Sequence, residues 1–494
     1  MQLSPQQTTA VTAVATTNQS IVLEAVAGSG KTTTLIEMLK AAEGTVAFCA
    51  FNKAIAQEID YKVSKKNLGD KVKVGTVHSY GFGAIRRSIS RVKVDGNKLR
   101  NLAQDEFNGE WFNLRQFVTS AVAMAKEVGI AACVDDDKEQ WEQMINHYDL
   151  WDNLPTNYSE ETAIDAAQYL LKASNNLRQI IDFSDMIYMP ILNKMKIWQY
   201  DNIFLDEAQD TNGPRRELVK MMLKPNGRLI AVGDPHQAIY GFTGADHQAL
   251  DNIKQEFKAV TMPLSVTFRC PKKVVEVANR WVSHIEAAET APQGIVDSCE
   301  LQDVYKLASK DDAVICRNTK PLVELAYSLI RRSIPCKVEG RAIGEGLVKL
   351  AQRWKVKTCA QLQDKLEQWK EKEIIKYQEK GNDTKCQIIE DQVETLMVFI
   401  SECRFDDSIS TLVEKIRSLF NDTEGQQKAL TLSTIHKSKG REWNRVFALG
   451  MDTYSPSKWA KKVWELTQED NLCYVQVTRA KNHLTMVNVP EKVK

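Results

Sequence analysis

The sequence predicts an α/β fold in which helices cover parallel sheets, and three observations carry that prediction. First, a short β-branched run at residues 20–24 (SIVLE) feeds a glycine turn, Gly28-Ser29-Gly30, and then a helical pattern with Leu35, Ile36 and Leu39 among its apolar positions. Strand, glycine turn and helix make up the repeating unit of parallel sheets. Second, another apolar run, Ile203-Phe204-Leu205, ends on two adjacent carboxylates, Asp206 and Glu207. A buried strand whose carboxyl end carries polar groups is the pattern of a ligand-binding sheet edge. Third, residues 85–181 lack strand alternation and contain helical stretches such as 114–129 (LRQFVTSAVAMAKEVG).

Length and composition bound the rest. At ~100–200 residues per domain, 494 residues allow roughly three or four domains. Hydrophobic residues at 43% and charged residues at 26% match a globular chain and exclude predominant disorder. Lys plus Arg number 65 and Asp plus Glu 64, which excludes a polybasic binder but leaves room for a local basic groove. Ten cysteines form no CxxC, and none lies near a histidine at zinc-like spacing. Small buried hydrophobes in a reducing compartment are therefore expected, not disulfides or zinc. The first ten residues lack a basic region followed by an apolar stretch, and no uncharged apolar run approaches the ~20 residues of a membrane helix. The expectation is a soluble intracellular protein without membrane contact.

The chemistry concentrates in two segments. In 25–40 (AVAGSGKTTTLIEMLK), glycines let backbone N–H groups converge on phosphate oxygens, and the helix N-terminus adds partial positive charge. Ala27, Gly28, Ser29, Gly30, Lys31, Thr32 and Thr33 form the expected cofactor-binding loop, although Ala25 stands where glycine is usual. Lys31 can reach the β- and γ-phosphates, and Thr32 can offer a hydroxyl to Mg²⁺. Lys31 is expected on an exposed loop with little packing role. In 201–210 (DNIFLDEAQD), Asp206 can hold Mg²⁺ while Glu207 orients and deprotonates water. Either segment alone is ambiguous. Together they point to hydrolysis of ATP.

Further segments complete a series: LSPQQTTAV (3–11), AFNKAIAQEI (50–59), GTVHSYGF (75–82), IDFSDMI (181–187), VGDPHQAIYGFTGA (232–245), LSVTFRCP (264–271), AVICRNTKPLVELAYSLIRRSIPCKVEGR (313–341), TLSTIHKSKGREWNRVF (431–447) and LCYVQVTRAKNHL (472–484). In these segments, taken in order from Gln7 to Leu484, the chain resembles the superfamily 1 DNA helicases of the UvrD/Rep type. The AFNK and DPHQ spellings are closest to the F-box DNA helicase group, without an F-box extension before Gln7, and also occur in short bacterial and viral relatives.

The resemblance implies roles for particular residues. Gln7 would read the adenine edge, with Gln6 beside it as the other register. Phe268 would stack on the adenine or, as a lone aromatic, sit in the core. Arg269 and Arg479 would each point a guanidinium at the γ-phosphate from the second core, a contribution of ~10³–10⁵-fold in rate for an arginine finger. Gln237 would sense the γ-phosphate and couple it to DNA, and Glu442 would touch the ribose. For single-stranded DNA, the AFNK segment contributes Phe51 and Asn52, and the 232–245 segment contributes Tyr240 and Phe242. Their rings are stacking platforms on the functional reading and core residues on the other. Thr76, His78 and His436 would meet phosphates. His147, His236 and His247 receive no role. The chain departs from the pattern at Thr243, where an arginine is usual, at Arg441, where a leucine is usual, and in a short second insertion.

The implied organisation is two RecA-like P-loop cores with parallel sheets, each interrupted by a mostly helical insertion. The first core takes 1–84 and 182–262 around a helical accessory insertion, 85–181. The second takes 263–342 and 428–494 around a short insertion, 343–427. Within the latter, 361–387 places Leu362, Leu366, Trp369 and Ile374 at helical spacing among dense charges: a solvated amphipathic helix, or a contact for duplex or partner. The implied function is an ATP- and Mg²⁺-dependent helicase or translocase on single-stranded DNA and single/double-strand junctions, with 3′→5′ polarity. The alternative is an ATP-controlled single-strand-binding switch or protein-displacing translocase with little unwinding. Replication, recombination and repair are the expected settings. Expected locations are the cytoplasm with its nucleoid, an infected cell's cytoplasm, or a eukaryotic nucleus. No nuclease carboxylate cluster follows Leu484.

Overall fold

A computed structural model of the chain describes residues 3–148, 150–239, 248–379, 382–404, 406–420 and 429–489. The chain divides into two compact units, one of Met1–Ala25 and Gly30–Leu264, the other of Val26–Ser29 and Ser265–Lys494.

The first unit is built on six strands: β1 (Ile21–Ala25), β2 (Val46–Ala50), β3 (Val72–Thr76), β4 (Tyr200–Leu205), β5 (Leu223–Gly233) and β6 (Val260–Leu264). They lie in the order β3-β2-β4-β5-β1-β6, and each adjacent pair is parallel. Side chains alternate across a strand, so each short apolar run supplies both faces. Ile21, Leu23, Phe48, Phe204 and Ile230 turn to one face, where they meet Leu35, Leu39 and Ile59 of helices α2 (Lys31–Ala41) and α3 (Lys53–Lys65). Helix α1 (Pro5–Thr16) adds Ala10 and Val14 to that cluster. Val22, Ala47, Cys49, Ile203, Leu205 and Leu229 turn to the other face, against Val77 of helix α4 (Val77–Ser88), Leu218, Val219 and Leu250. With every strand parallel, Ala25, Ala50, Thr76, Leu205 and Gly233 all end at one edge of the sheet, which is where ligands bind in this architecture.

Between α4 and β4 lies a helical layer: Lys98–Glu106, Arg115–Val128, Lys138–His147 and Glu160–Asn176. Its core includes Phe117, Trp141 and Leu170. Asp137 and Ser159 cap the last two helices by accepting the N–H groups of Gln140 and Thr162. The layer is fastened by buried charge. Lys98 Nζ lies 2.7 Å from Asp185, and Lys126 Nζ lies 2.7 Å from both Asp182 and Asp185. Both aspartates belong to the IDFSDMI segment, which thus has a packing explanation.

The second unit repeats the plan with β7 (Ile295–Glu300), β8 (Ala313–Cys316), β9 (Cys336–Val338), β10 (Leu430–Thr434), β11 (Trp443–Leu449) and β12 (Ala480–Asn488). The order is β7-β12-β11-β8-β10-β9, again parallel throughout. Four helices, Arg341–Ala351, Cys359–Glu379, Asp383–Ser401 and Ile409–Leu419, share one apolar cluster with this sheet through Leu347, Leu366, Phe399, Leu412, Val314 and Phe447. The 361–387 stretch falls on two helices, the second capped by Asn382 on the Lys385 N–H. Leu362 and Leu366 are buried, and Trp369 and Ile374 pack against the same cluster, as expected of an amphipathic helix resting on its own neighbours.

The α/β class with parallel sheets is therefore as expected. Six of the ten cysteines are buried, but Cys133 is exposed, against the expectation of small buried hydrophobes. Among the described residues, no helix is long and apolar enough to cross a membrane.

Candidate functional site

The loop after β1 turns on two left-handed glycines, Gly28 at φ +73° and Gly30 at φ +78°. A side chain with a Cβ rarely adopts that conformation. Gly30 is the N-cap of α2, and no side chain caps the helix, an arrangement suited to an anion at the N-terminus. Ala27 and Ser29 are buried, while Thr32 and Thr33 are half-buried in the first turn. Lys31 is the first residue of α2, its side chain only 15% exposed, with Nζ 3.4 Å from Glu207 Oε1. That corrects the expectation of an exposed lysine: the ammonium is drawn onto a carboxylate at the sheet edge.

Glu207 itself sits at φ +49°, a left-handed conformation that costs a non-glycine residue ~1–3 kcal/mol and persists where the surroundings hold it. Its N–H donates to Asp206 Oδ1 at 3.0 Å, so the two carboxylates leave β4 together. Burial first, then the Glu207 charge, pushes Asp206 up to about 7, against the pull of Lys31. Glu207 Oε2 accepts from Gln209 Nε2 at 2.5 Å, and Gln209 Oε1 accepts the Asp234 N–H at 3.1 Å. Asp234 Oδ2 accepts from Gln237 Nε2 at 2.7 Å. Gln209, Asp234 and Gln237 are buried, and burial raises the Asp234 carboxyl above its ordinary range. Gln237 is thereby linked to Glu207 through two residues that the sequence reading did not single out.

Beside these carboxylates lies a cavity of 240 Å³. Its lining includes Phe51 from the end of β2, His78 from α4, Asp206, Glu207, Thr211 and Arg215. Phe51 is 42% exposed, which removes the core reading of that ring. Burial first, then the Arg215 charge, lowers the His78 pKa, so the ring is neutral at neutral pH. Arg215 is a lining residue missed at the sequence level; its signal was the basic pair Arg215-Arg216, which follows Glu207 only after seven intervening residues. Its Nη1 donates to the Asp210 carbonyl at 2.9 Å.

Three expected site residues also hold the backbone. Asn52 Oδ1 caps α3 by accepting the Ile55 N–H, and Thr76 Oγ1 caps α4 by accepting the Ser79 N–H. Gln7 closes a capping box with Ser4, and its Nε2 donates to Thr34 Oγ1 at 2.9 Å, tying α1 to α2. Tyr240, Phe242, Thr243 and His247 lie outside the described residues.

Residues 3–258 match the UvrD/REP helicase N-terminal domain, and residues 344–490 match the UvrD-like helicase C-terminal domain. The chain belongs to the UvrD/Rep helicase family. It is 30% identical over 308 residues to the ATP-dependent DNA helicase Rep of Escherichia coli K12, a match covering 56% of this chain and 43% of Rep. It is 26% identical over 315 residues to the ATP-dependent DNA helicase PcrA of Staphylococcus aureus, covering 57% of this chain and 40% of PcrA. A probable DNA helicase II homolog of Mycoplasma genitalium matches at 25% over 301 residues, covering 53% and 40%. The matched chain thus spans less than half the length of these relatives.

In the second unit, Phe268 is 51% exposed, which excludes the core reading of that ring. Arg269 Nε donates to Glu442 Oε2 at 2.6 Å, and Lys481 Nζ lies 3.4 Å from Glu442 Oε1. Burial pushes Glu442 up, but Arg269 and Lys481 outweigh it and hold the carboxyl below its usual value. Arg479 is buried, its guanidinium donating to the carbonyls of Val475 and Arg441 and to Thr478 Oγ1. Arg441, unusual for the family pattern, pairs with Glu339 and lies 4.7 Å over the Trp443 ring. His436 stands on the short helix Ile435–Ser438, where burial, then Arg317, Lys439 and Lys437, hold its pKa down to about 3. Among the described residues, no group of three or more His, Cys, Asp or Glu is placed to hold a metal.

Proposed function

We propose that this chain is an ATP-driven motor on single-stranded DNA, a helicase or translocase acting in replication, recombination or repair. The observation that carries this reading is the Lys31 ammonium 3.4 Å from Glu207, beside Asp206 and a cavity shared with Phe51 and His78. One sheet edge thus offers a phosphate ligand, two carboxylates and an exposed aromatic. The donor set fits ATP with Mg²⁺: a glycine loop at an uncapped helix N-terminus, a lysine, the Thr32 hydroxyl and the Asp206 carboxylate. When bound, Mg²⁺ neutralises phosphate charge.

Lys31 would neutralise the phosphates, and Thr32 with Asp206 would hold the metal. Glu207 would take the proton of the attacking water. Gln7, Phe268 and Glu442 would hold adenine and ribose, and Ala27, Gly28, Ser29, Gly30 and Thr33 would line the phosphates. Arg269 and Arg479 would complete the site and Gln237 would sense it. Arg269 now holds Glu442 through Nε, and Arg479 donates to the Val475 carbonyl, and each guanidinium has further N–H donors to offer a phosphate. Phe51, Asn52, Thr76, His78, Tyr240, Phe242 and His436 would contact the strand; the His436 ring would do so as a neutral group. The proposed cores are 1–84 with 182–262 and 263–342 with 428–494, the proposed insertions 85–181 and 343–427. The proposed setting is wherever genomic or viral DNA is handled: nucleoid, infected cytoplasm or nucleus.

The test is strand displacement on 3′-tailed and 5′-tailed duplexes with ATP. Displacement from the 3′-tailed substrate is expected. Displacement from the 5′-tailed one alone would overturn the polarity. ATP-dependent single-strand binding with no displacement would favour the switch.

A further inference from the structure

The relay described above contains one residue whose chemistry admits few substitutes. Gln209 stands two positions past Glu207 and is 1% exposed. Its amide faces a carboxylate oxygen on one side, at 2.5 Å, and the Asp234 N–H on the other, at 3.1 Å. The place therefore needs a donor and an acceptor on the same short head. An amide has both; a carboxylate has no donor, and an ammonium no acceptor. The amide's orientation is also fixed, because reversing it would aim its oxygen at Glu207 and its NH₂ at the Asp234 N–H. Gly233 makes room for it: a Cβ there would lie 2.5 Å from Gln209 Oε1. Beyond Asp234, the Gln237 amide continues the chain at 2.7 Å.

We propose that Gln209 is a positioning residue that sets the Glu207 carboxylate and ties it to the 234–237 segment. A displacement of Gln237 is then transmitted through Asp234 and Gln209 to the carboxylate that handles the water. Its catalytic consequence rests on the ATPase reading; the tie itself does not. Gln209 acts through Glu207, the carboxylate its amide holds.

Two variants separate its two contacts. Gln209→Glu keeps an acceptor for the Asp234 N–H but loses the donor and sets a second carboxylate against Glu207. Gln209→Met keeps the length and loses both contacts. Amide hydrogen exchange at Asp234, in the full chain without nucleotide, is expected to match wild type in Gln209→Glu and to speed up in Gln209→Met. In the presence of single-stranded DNA, kcat for ATP is expected to fall by roughly 10–100-fold in both, the range for removing a partner that orients a reacting group. KM for ATP should stay within about threefold, because the groups that bind nucleotide are untouched. Wild-type kcat in either folded variant, or unchanged Asp234 exchange in Gln209→Met, would overturn the proposal. Should the wild-type chain itself hydrolyse no ATP, the functional reading fails, while the exchange measurement still decides whether Gln209 holds Asp234.

Discussion

Glu207 sits on a strained backbone turn with Lys31 on one carboxylate oxygen and Gln209 on the other. Glu207→Gln keeps the shape and leaves Asp206 for the metal, but the amide cannot accept the water's proton. Nucleotide binding should persist while turnover falls by ~10²–10⁴, the contribution of a general base. Failure to bind nucleotide at all would mark 207 as a metal or structural position instead. A second residue makes a pH prediction. Unfolded, His436 titrates at the ordinary histidine value of 6.5; folded, it is held to about 3. Below 6.5 the unfolded chain takes a proton that the folded chain refuses, so this residue's share of stability is present above 6.5 and is lost as pH falls. The slope is at most about 1.4 kcal/mol per pH unit. Denaturant midpoints between pH 7 and 5 should drop less steeply in His436→Gln; equal slopes would contradict the buried neutral ring. Lys31, Asp206 and Glu207 were legible as residues because a short contiguous pattern announces them. Gln209, Asp234 and Arg215 were not, since their meaning lies in partners that only the folded chain brings within reach.

Elements were legible where one period governed the local sequence. The strand runs SIVLE and IFL and the helical stretch at 114–129 became β1, β4 and Arg115–Val128 because their apolar spacing matches the faces that they bury. Lys126 shows the limit. In sequence it is a charge interrupting an apolar stripe; in the fold it is buried against Asp182 and Asp185, 56 and 59 residues away. Lys126→Met leaves two buried carboxylates sharing Lys98 alone and should cost ~3–5 kcal/mol, the penalty for removing one partner of a buried ion pair. Denaturant unfolding checks this, and an unchanged midpoint would show that the aspartates are relieved some other way. The helix at α4 likewise has two duties. Thr76 caps it while Val77 and His78 line the cavity, so a short motif both begins the element and shapes the site.

For the whole molecule, the ordered motifs made the double parallel-sheet plan readable from end to end. What they could not supply was how the proposed catalytic edge adjoins the proposed DNA contacts within the first unit. That adjacency rests on Phe51, exposed at 42% and lining the same cavity as Asp206 and Glu207. Phe51→Ala should leave the DNA-free ATPase intact and weaken single-strand binding by ~1–3 kcal/mol, the value of one base–aromatic stack. Unchanged affinity would remove Phe51 from the proposed DNA contacts. The most direct test of a DNA-driven motor is steady-state ATP hydrolysis by the purified chain, with and without a single-stranded oligonucleotide, beside Lys31→Ala as control. The predicted result is slow hydrolysis that rises with added strand and disappears in Lys31→Ala, with folding retained. A folded wild-type chain whose hydrolysis is indifferent to single-stranded DNA would contradict it.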